Sequence, residues 1–403
     1  MAAVNIERAK AAPLEIHVWM FETEKNITLP NALIPHFRNT KTLTVRSISS
    51  FGEFIETFPN FPHSMPNLQS LTLELDDIEG WNPPTDPFES LTHTLESLEL
   101  IGVPLSPSLL TLGSLTRLTL HHYRFNLTLD TLLSFLEENR SLTSADLGIR
   151  FIEPSLRSSQ RRSLIRSQLQ SLQIYCNDND VMDARALISG IPLRRGAELR
   201  VDSDHSELGD IISNASTTHL SNLLSPTFVE YGSSGESITL RGPNGFFSFH
   251  SSFLPERYIG LVEFPFLSLT TVREFRFTHY KIDSTTPLDP IVFHPPSFPA
   301  LEALTIECNA HASYILSALL LNLSSSPSLK TLAFLDCDLS KDFMEGLIRF
   351  ASDRKGTTSA LLRYVLIVDS DGSFPSPDLV GRLRQHVTTV DVRMDNELPK
   401  DLT

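Results

Sequence analysis

The chain has 403 residues, 41% of them hydrophobic and 20% charged, with a formal net charge of −15. That length exceeds one ordinary compact core and calls for several domains or a repeating array, and the composition is that of a folding chain rather than a disordered one. The acidic balance argues against nucleic acid, no run reaches the ~20 apolar residues that span a bilayer, and Met1 to Pro13 holds no signal-peptide core, so the expectation is a soluble, intracellular chain, cytoplasmic or nuclear, with no membrane partner.

Along the chain an L-x-x-L-x-L pattern recurs. Weak copies at Leu14-Ile16 and Leu43-Val45 lead into Leu68-Leu71-Leu73, Leu95-Leu98-Leu100 and Leu115-Leu118-Leu120. Leu142-Ala145-Leu147 and Leu169-Leu172-Ile174 follow, with weaker copies at Leu199-Val201 and Ile238-Leu240. The pattern then returns at Val272-Phe275-Phe277, Leu301-Leu304-Ile306, Leu329-Leu332-Phe334, Leu362-Val365-Ile367 and Val387-Val390-Val392. Most steps from one copy to the next are 25 to 29 residues, the period of a leucine-rich repeat, in which a short strand and a helix or turn make each unit.

The predicted fold is therefore α/β, a leucine-rich-repeat solenoid with a curved parallel sheet on its concave face and helices and turns on its convex face. Residues 1–10 and 396–403 read as tails, 11–202 and 272–395 as repeats, and 203–271 as irregular repeats with longer insertions. That middle part holds the two long steps, from 196 to 235 and from 235 to 272. Convex helices are expected after Ser50 with Glu53, at Leu129-Leu132-Leu133-Leu136, after Ser340, and at Ser376-Pro377, where serine caps and proline takes the first helical position. Asn177, Asn309 and Cys337 fill the place after the strand where a side chain satisfies turn backbone groups.

Alternation along a strand turns the second and third apolar positions inward and their neighbours outward. The outward set on the concave face is Glu74, Glu99, Arg117, His121, Asp146, Gln173, Tyr175, Arg200, Arg241, Glu274, Arg276 and Glu307. These are the candidate partner-binding residues, with Tyr175 and the arginines first, because such side chains carry most interface energy.

The segment LTLDTLLSFLEENRSLTSADLGIRFIEPSLRSSQRRSLIRSQLQSLQIYC, from Leu127 to Cys176, resembles the repeat region of basidiomycete fungal F-box proteins. So do FPNFPHSMPNLQSLTL from Phe58 and DPFESLTHTLESLEL from Asp86, and the similarity runs from about Pro13 to the C-terminus. The resemblance implies an F-box that binds a Skp1-type adaptor of a cullin ubiquitin ligase, with the repeats selecting the target. No F-box is recognisable here: Leu29-Pro30-Asn31-Ala32-Leu33-Ile34 has the look of one beginning, but the strand at Leu43-Val45 follows too soon, and the segment reads as a convex helix. The expected function is protein binding by the repeats without adaptor binding, as the substrate-recognition region of an F-box-type ligase component. The alternative is a repeat-only scaffold, or a truncated and inert relative with no ligase link.

Nothing in the sequence suggests catalysis, a cofactor or a metal. There is no H-E-x-x-H, P-loop, G-x-G-x-x-G or G-x-S-x-G. His121 and His122 point to opposite faces of a strand and cannot chelate together. Cys308 and Cys337 stand at nearly equivalent places and are read as buried thiols. The basic stretch Arg150, Arg157, Arg161, Arg162 and Arg166 is a solvated loop or helix face, or else an acidic docking site.

Overall fold

A computed structural model describes residues 13–20, 34–47, 65–75, 94–103, 112–121, 129–148, 168–176, 181–191, 193–204, 211, 225–232, 237–251, 269–278, 298–307, 312–321, 326–337, 340–357, 361–369 and 375–394. The chain is α/β and divides into two compact units, Met1–Asp202 and Ser203–Thr403. Each is built on an open, wholly or mostly parallel sheet.

In the first unit the strands follow chain order: β1 (Leu14–Met20), β2 (Thr40–Ser47), β3 (Ser70–Leu75), β4 (Ser97–Ile101), β5 (Arg117–His121), β6 (Ser144–Gly148), β7 (Ser171–Cys176) and β8 (Glu198–Ser203). Strands β1 to β7 pair in parallel, each with the next. The register sets Leu43, Leu71, Leu98, Leu118, Ala145 and Leu172 side by side, and Val45, Leu73, Leu100, Leu120, Leu147 and Ile174 in a second line. All are buried. Period-2 alternation thus commits one face of every strand to the core.

Backbone hydrogen bonds make the repetition explicit. Gln69 C=O accepts from the N–H groups of Glu96 and Ser97, Glu96 C=O from Thr116 and Arg117, Thr116 C=O from Thr143 and Ser144, and Thr143 C=O from Gln170 and Ser171. The same doubled bond at each step means the same local turn, four times over. Helices α1 (Leu129–Glu138) and α2 (Val181–Gly190) lie side by side, with Leu132, Leu133, Phe135 and Leu136 of α1 and Ala184, Leu187 and Ile188 of α2 buried.

The second unit begins with a departure from the expected parallel order. Strands β9 (Phe228–Gly232), β10 (Ser237–Gly242) and β11 (Gly245–Ser251) form an antiparallel meander. The Ile238-Leu240 copy lies on its middle strand, and it is β9 that pairs in parallel with β12 (Glu274–Thr278). The true strand copy here is Pro226-x-x-Val229-x-Tyr231, hidden because proline stands in the first leucine place; Thr227 C=O accepts the doubled bond from Arg273 and Glu274. The turn Gly242-Pro243-Asn244-Gly245 links β10 to β11, so a local hairpin overrides the long-range pattern.

From β12 the parallel order continues through β13 (Ala303–Glu307), β14 (Thr331–Leu335), β15 (Tyr364–Asp369) and β16 (Thr389–Met394). Helices α3 (Ala312–Leu321), α4 (Lys341–Thr357) and α5 (Pro377–Arg384) pack in sequence, and Phe334 of β14 meets Phe343 of α4 edge-on with centroids 5.0 Å apart. Ser340 Oγ accepts from the Phe343 N–H at 3.2 Å and caps α4. Ser376 stands at the N-cap of α5 and proline at its start, as expected, although the serine side chain makes no cap hydrogen bond. The helix expected after Ser50 and the segments holding Cys308, Asn177, Asn309, His122 and Arg150–Arg166 lie outside the described residues, as does nearly all of Leu29–Ile34.

Candidate functional site

The sheet face opposite the buried leucines carries the candidate residues. In the first unit the register sorts its outward positions into three rows. The row nearest the strand starts is small and polar apart from Arg117: Thr42, Ser70, Ser97, Arg117, Ser144 and Ser171. The middle row runs His17, Thr44, Thr72, Glu99, Thr119, Asp146 and Gln173. The third row, at the strand ends, carries the large side chains: Trp19, Arg46, Glu74, Ile101 and His121, then Gly148 paired with Tyr175.

Most charges on this face are already matched. Arg46 Nε lies 2.9 Å from Glu74 Oε2, and its guanidinium sits 5.1 Å from the centre of the Trp19 ring. His121 Nε2 is 2.9 Å from Asp146 Oδ1. The imidazole fits because Gly148 has no side chain; a Cβ there would stand 2.9 Å from His121 Nδ1. Tyr175 is the next ring along, with centroids 6.5 Å apart. The Thr72 hydroxyl donates to Glu99 at 3.0 Å, and the Gln173 amide donates to Asp202 at 3.0 Å. Arg200 pairs with Glu198, while Arg117 is exposed among serines. Carboxylates on the outward positions of these strands (Glu15, Glu74, Glu99, Asp146, Glu198, Asp202) outnumber the cations Arg46, Arg117 and Arg200.

In the second unit Arg276 stands between Glu230, 3.7 Å from its Nε, and Glu307, 3.0 Å from its Nη2. Its charge is satisfied on both sides. Arg241, exposed on β10, lies 5.1 Å from the Phe228 ring centre and 5.7 Å from that of Phe246, its two cross-strand neighbours. Glu274 is exposed one strand further on. All twelve expected residues lie on outward positions and none is buried.

Sequence reasoning missed two features. Trp19, Arg46 and Ile101 share the row of His121 and Tyr175; alternation continued one residue past Leu43-Val45 would have found Arg46, whereas Trp19 lies three past Ile16, because the register aligns Ile16 and Val18 with Leu43 and Val45. On β14 and β15 the outward face is apolar and buried: Ala333, Leu366 and Val368 form a cluster, with Leu335 and Tyr364 beside it. The signal was present, since Leu332 to Leu335 and Val365 to Val368 are unbroken apolar runs, the mark of a strand covered on both faces. At its border the Tyr364 hydroxyl donates to Asp391 at 3.1 Å, and Arg393 Nε donates to the same oxygen at 2.8 Å. Burial first, then that bond, raises the Tyr364 pKa, and the Arg393 guanidinium holds the Asp391 carboxyl below the usual range.

Among the described residues no three His, Cys, Asp or Glu side chains come close enough to hold a metal ion, and no helix is long and apolar enough to cross a membrane. Cys176 and Cys337 are buried thiols, the latter donating to Ile306 C=O at 3.4 Å. In the first unit the outward face is a mostly polar sheet with one row of large side chains. No family model matches the chain, and no curated protein sequence matches it.

Proposed function

We propose that each unit is a leucine-rich-repeat array and that its outward sheet face binds another protein, as the target-recognition part of an F-box-type ubiquitin-ligase component. The observation that carries the binding role is the third row of the first unit, where Trp19, at 58% exposure, stands with Arg46, Ile101 and Tyr175 on a rigid sheet. Trp, Tyr and Arg are the side chains in which interface energy concentrates, and a rigid sheet holds them in place before binding. The recurrent doubled turn bonds and the L-x-x-L-x-L cores support the repeat reading. The ligase role rests on the family resemblance alone.

The test is partner capture by the full chain, comparing Tyr175→Ala and Arg276→Glu with the parent by quantitative mass spectrometry. A bound partner should fall by about tenfold with at least one variant, the loss that a residue contributing ~1.4 kcal/mol gives; Tyr175→Ala should retain the melting temperature, whereas Arg276→Glu sets a third carboxylate beside Glu230 and Glu307 and counts only if it stays folded. A partner held equally by both variants and the parent would remove this face from consideration.

A further inference from the structure

Trp19, Ile101 and Tyr175 stand on β1, β4 and β7, so the third row presents a large apolar side chain on every third strand. Between them the polar side chains are already engaged within the chain, Arg46 with Glu74 and His121 with Asp146. Attraction for a partner is therefore concentrated at three evenly spaced stations.

We propose that this row seats an extended segment of a partner polypeptide lying across the strands, with apolar side chains at positions i, i+4 and i+8; the idea rests on the protein-binding role above. Spacing decides the form. Adjacent strands are ~4.8 Å apart, so stations three strands apart are separated by ~14 Å, and four residues of extended chain cover ~13 Å while returning the side chain to the same face. A helix brings a side chain back to the same face near this span only after about 11 residues and ~16.5 Å, a slip of about 2 Å per station that doubles by the third.

An extended segment also brings open backbone N–H and C=O groups that need partners. The middle row runs alongside with the hydroxyls of Thr44, Thr72 and Thr119. Glu99 in the same row favours a basic residue between the apolar anchors, since complementary charge sets register and orientation.

A phage-displayed library of random dodecapeptides, selected on the immobilised full-length chain, tests this. Enriched peptides should carry large apolar residues at i, i+4 and i+8, and synthetic copies should bind about tenfold more weakly to Trp19→Ala and to Tyr175→Ala. Trp19 is 58% exposed and Ile101 and Tyr175 are partly open, so melting temperatures should move little; if Trp19→Ala does shift it, Ile101→Lys carries the test. Enrichment of helical i, i+3, i+7 spacing, binding indifferent to these replacements, or no enrichment would each overturn the proposal. If that happens while Arg276→Glu or Tyr175→Ala still loses the captured protein, the binding role stands and only the extended segment falls.

Discussion

Arg354 shows how one residue can hold a turn together. It is 1% exposed, and its Nη2 donates to the carbonyls of Ser326 at 2.9 Å, Pro327 at 3.1 Å and Leu329 at 2.7 Å. Burial pulls its pKa down, and those three carbonyls belong to the turn that starts β14. Arg354→Met keeps the stem and leaves the carbonyls without this donor, so it should cost about 3 kcal/mol, read as a lower urea midpoint. Gly102 and Asp336 form a second case. Each follows its strand, adopts positive φ (70° and 50°), and donates its N–H to the last or next-to-last residue of the following strand, His121 or Val368. A Cβ on Gly102 would lie 1.8 Å from Leu75 C=O. Gly102→Ala should therefore lose more than about 2 kcal/mol, whereas Asp336→Gly should gain up to about 1 kcal/mol by relieving a left-handed conformation. Thermal unfolding of the two variants checks the pair, and a destabilised Asp336→Gly would contradict it.

At the scale of elements, β14 and β15 differ from the other strands in being covered on both faces. Val368 is 1% exposed on the outward side, while Thr305, on the same face of β13, is partly open. Val368→Asp should cost about 3 kcal/mol and Thr305→Asp less than about 0.5 kcal/mol, a contrast that denaturant titration resolves. Helices α4 and α5 are joined by Arg382, whose guanidinium grips Glu345 through bonds of 2.6 and 2.7 Å. That bond holds the Glu345 carboxyl below its ordinary range, as Arg393 does for Asp391. A depressed folded-state pKa gives stability that is present above the ordinary value of about 4 and fades as pH falls below it. Tyr364 is the opposite case: its raised pKa gives stability present below about 10 and lost as pH rises further. Asp391→Asn and Glu345→Gln should flatten the acid limb of a stability–pH profile, and Tyr364→Phe the alkaline limb. Unchanged limbs would mean these contacts do not persist in solution.

For the molecule as a whole, the proposed binding surface is legible to the extent that it depends on strand alternation. Alternation alone places Glu74, Glu99, His121, Asp146 and Tyr175 outward, and they are outward. It cannot say which of them are neutralised, because partners such as Arg46 for Glu74 or Asp146 for His121 come from the next strand, 25 to 29 residues away in the usual step. Arg276, ranked high as a cation, proves to be flanked by Glu230 and Glu307. Trp19 was overlooked because β1 continues past its apolar pair to Met20, and strand length is set by pairing with β2 rather than by the pattern.

What the sequence determined by itself was the repeated element. The apolar positions, their period and their inward turn follow from local alternation and from the need of each strand to bury one face. Helix starts at Ser340 and Pro377 were likewise local. The direction of β9, β10 and β11 was decided only by tertiary structure, because a tight turn between β10 and β11 competes with the parallel repeat and the sequence carries signals for both. The grouping of Trp19, Ile101 and Tyr175 into one row was also decided there, since register between strands fixes which distant residues become neighbours, and no single strand encodes its neighbour's register.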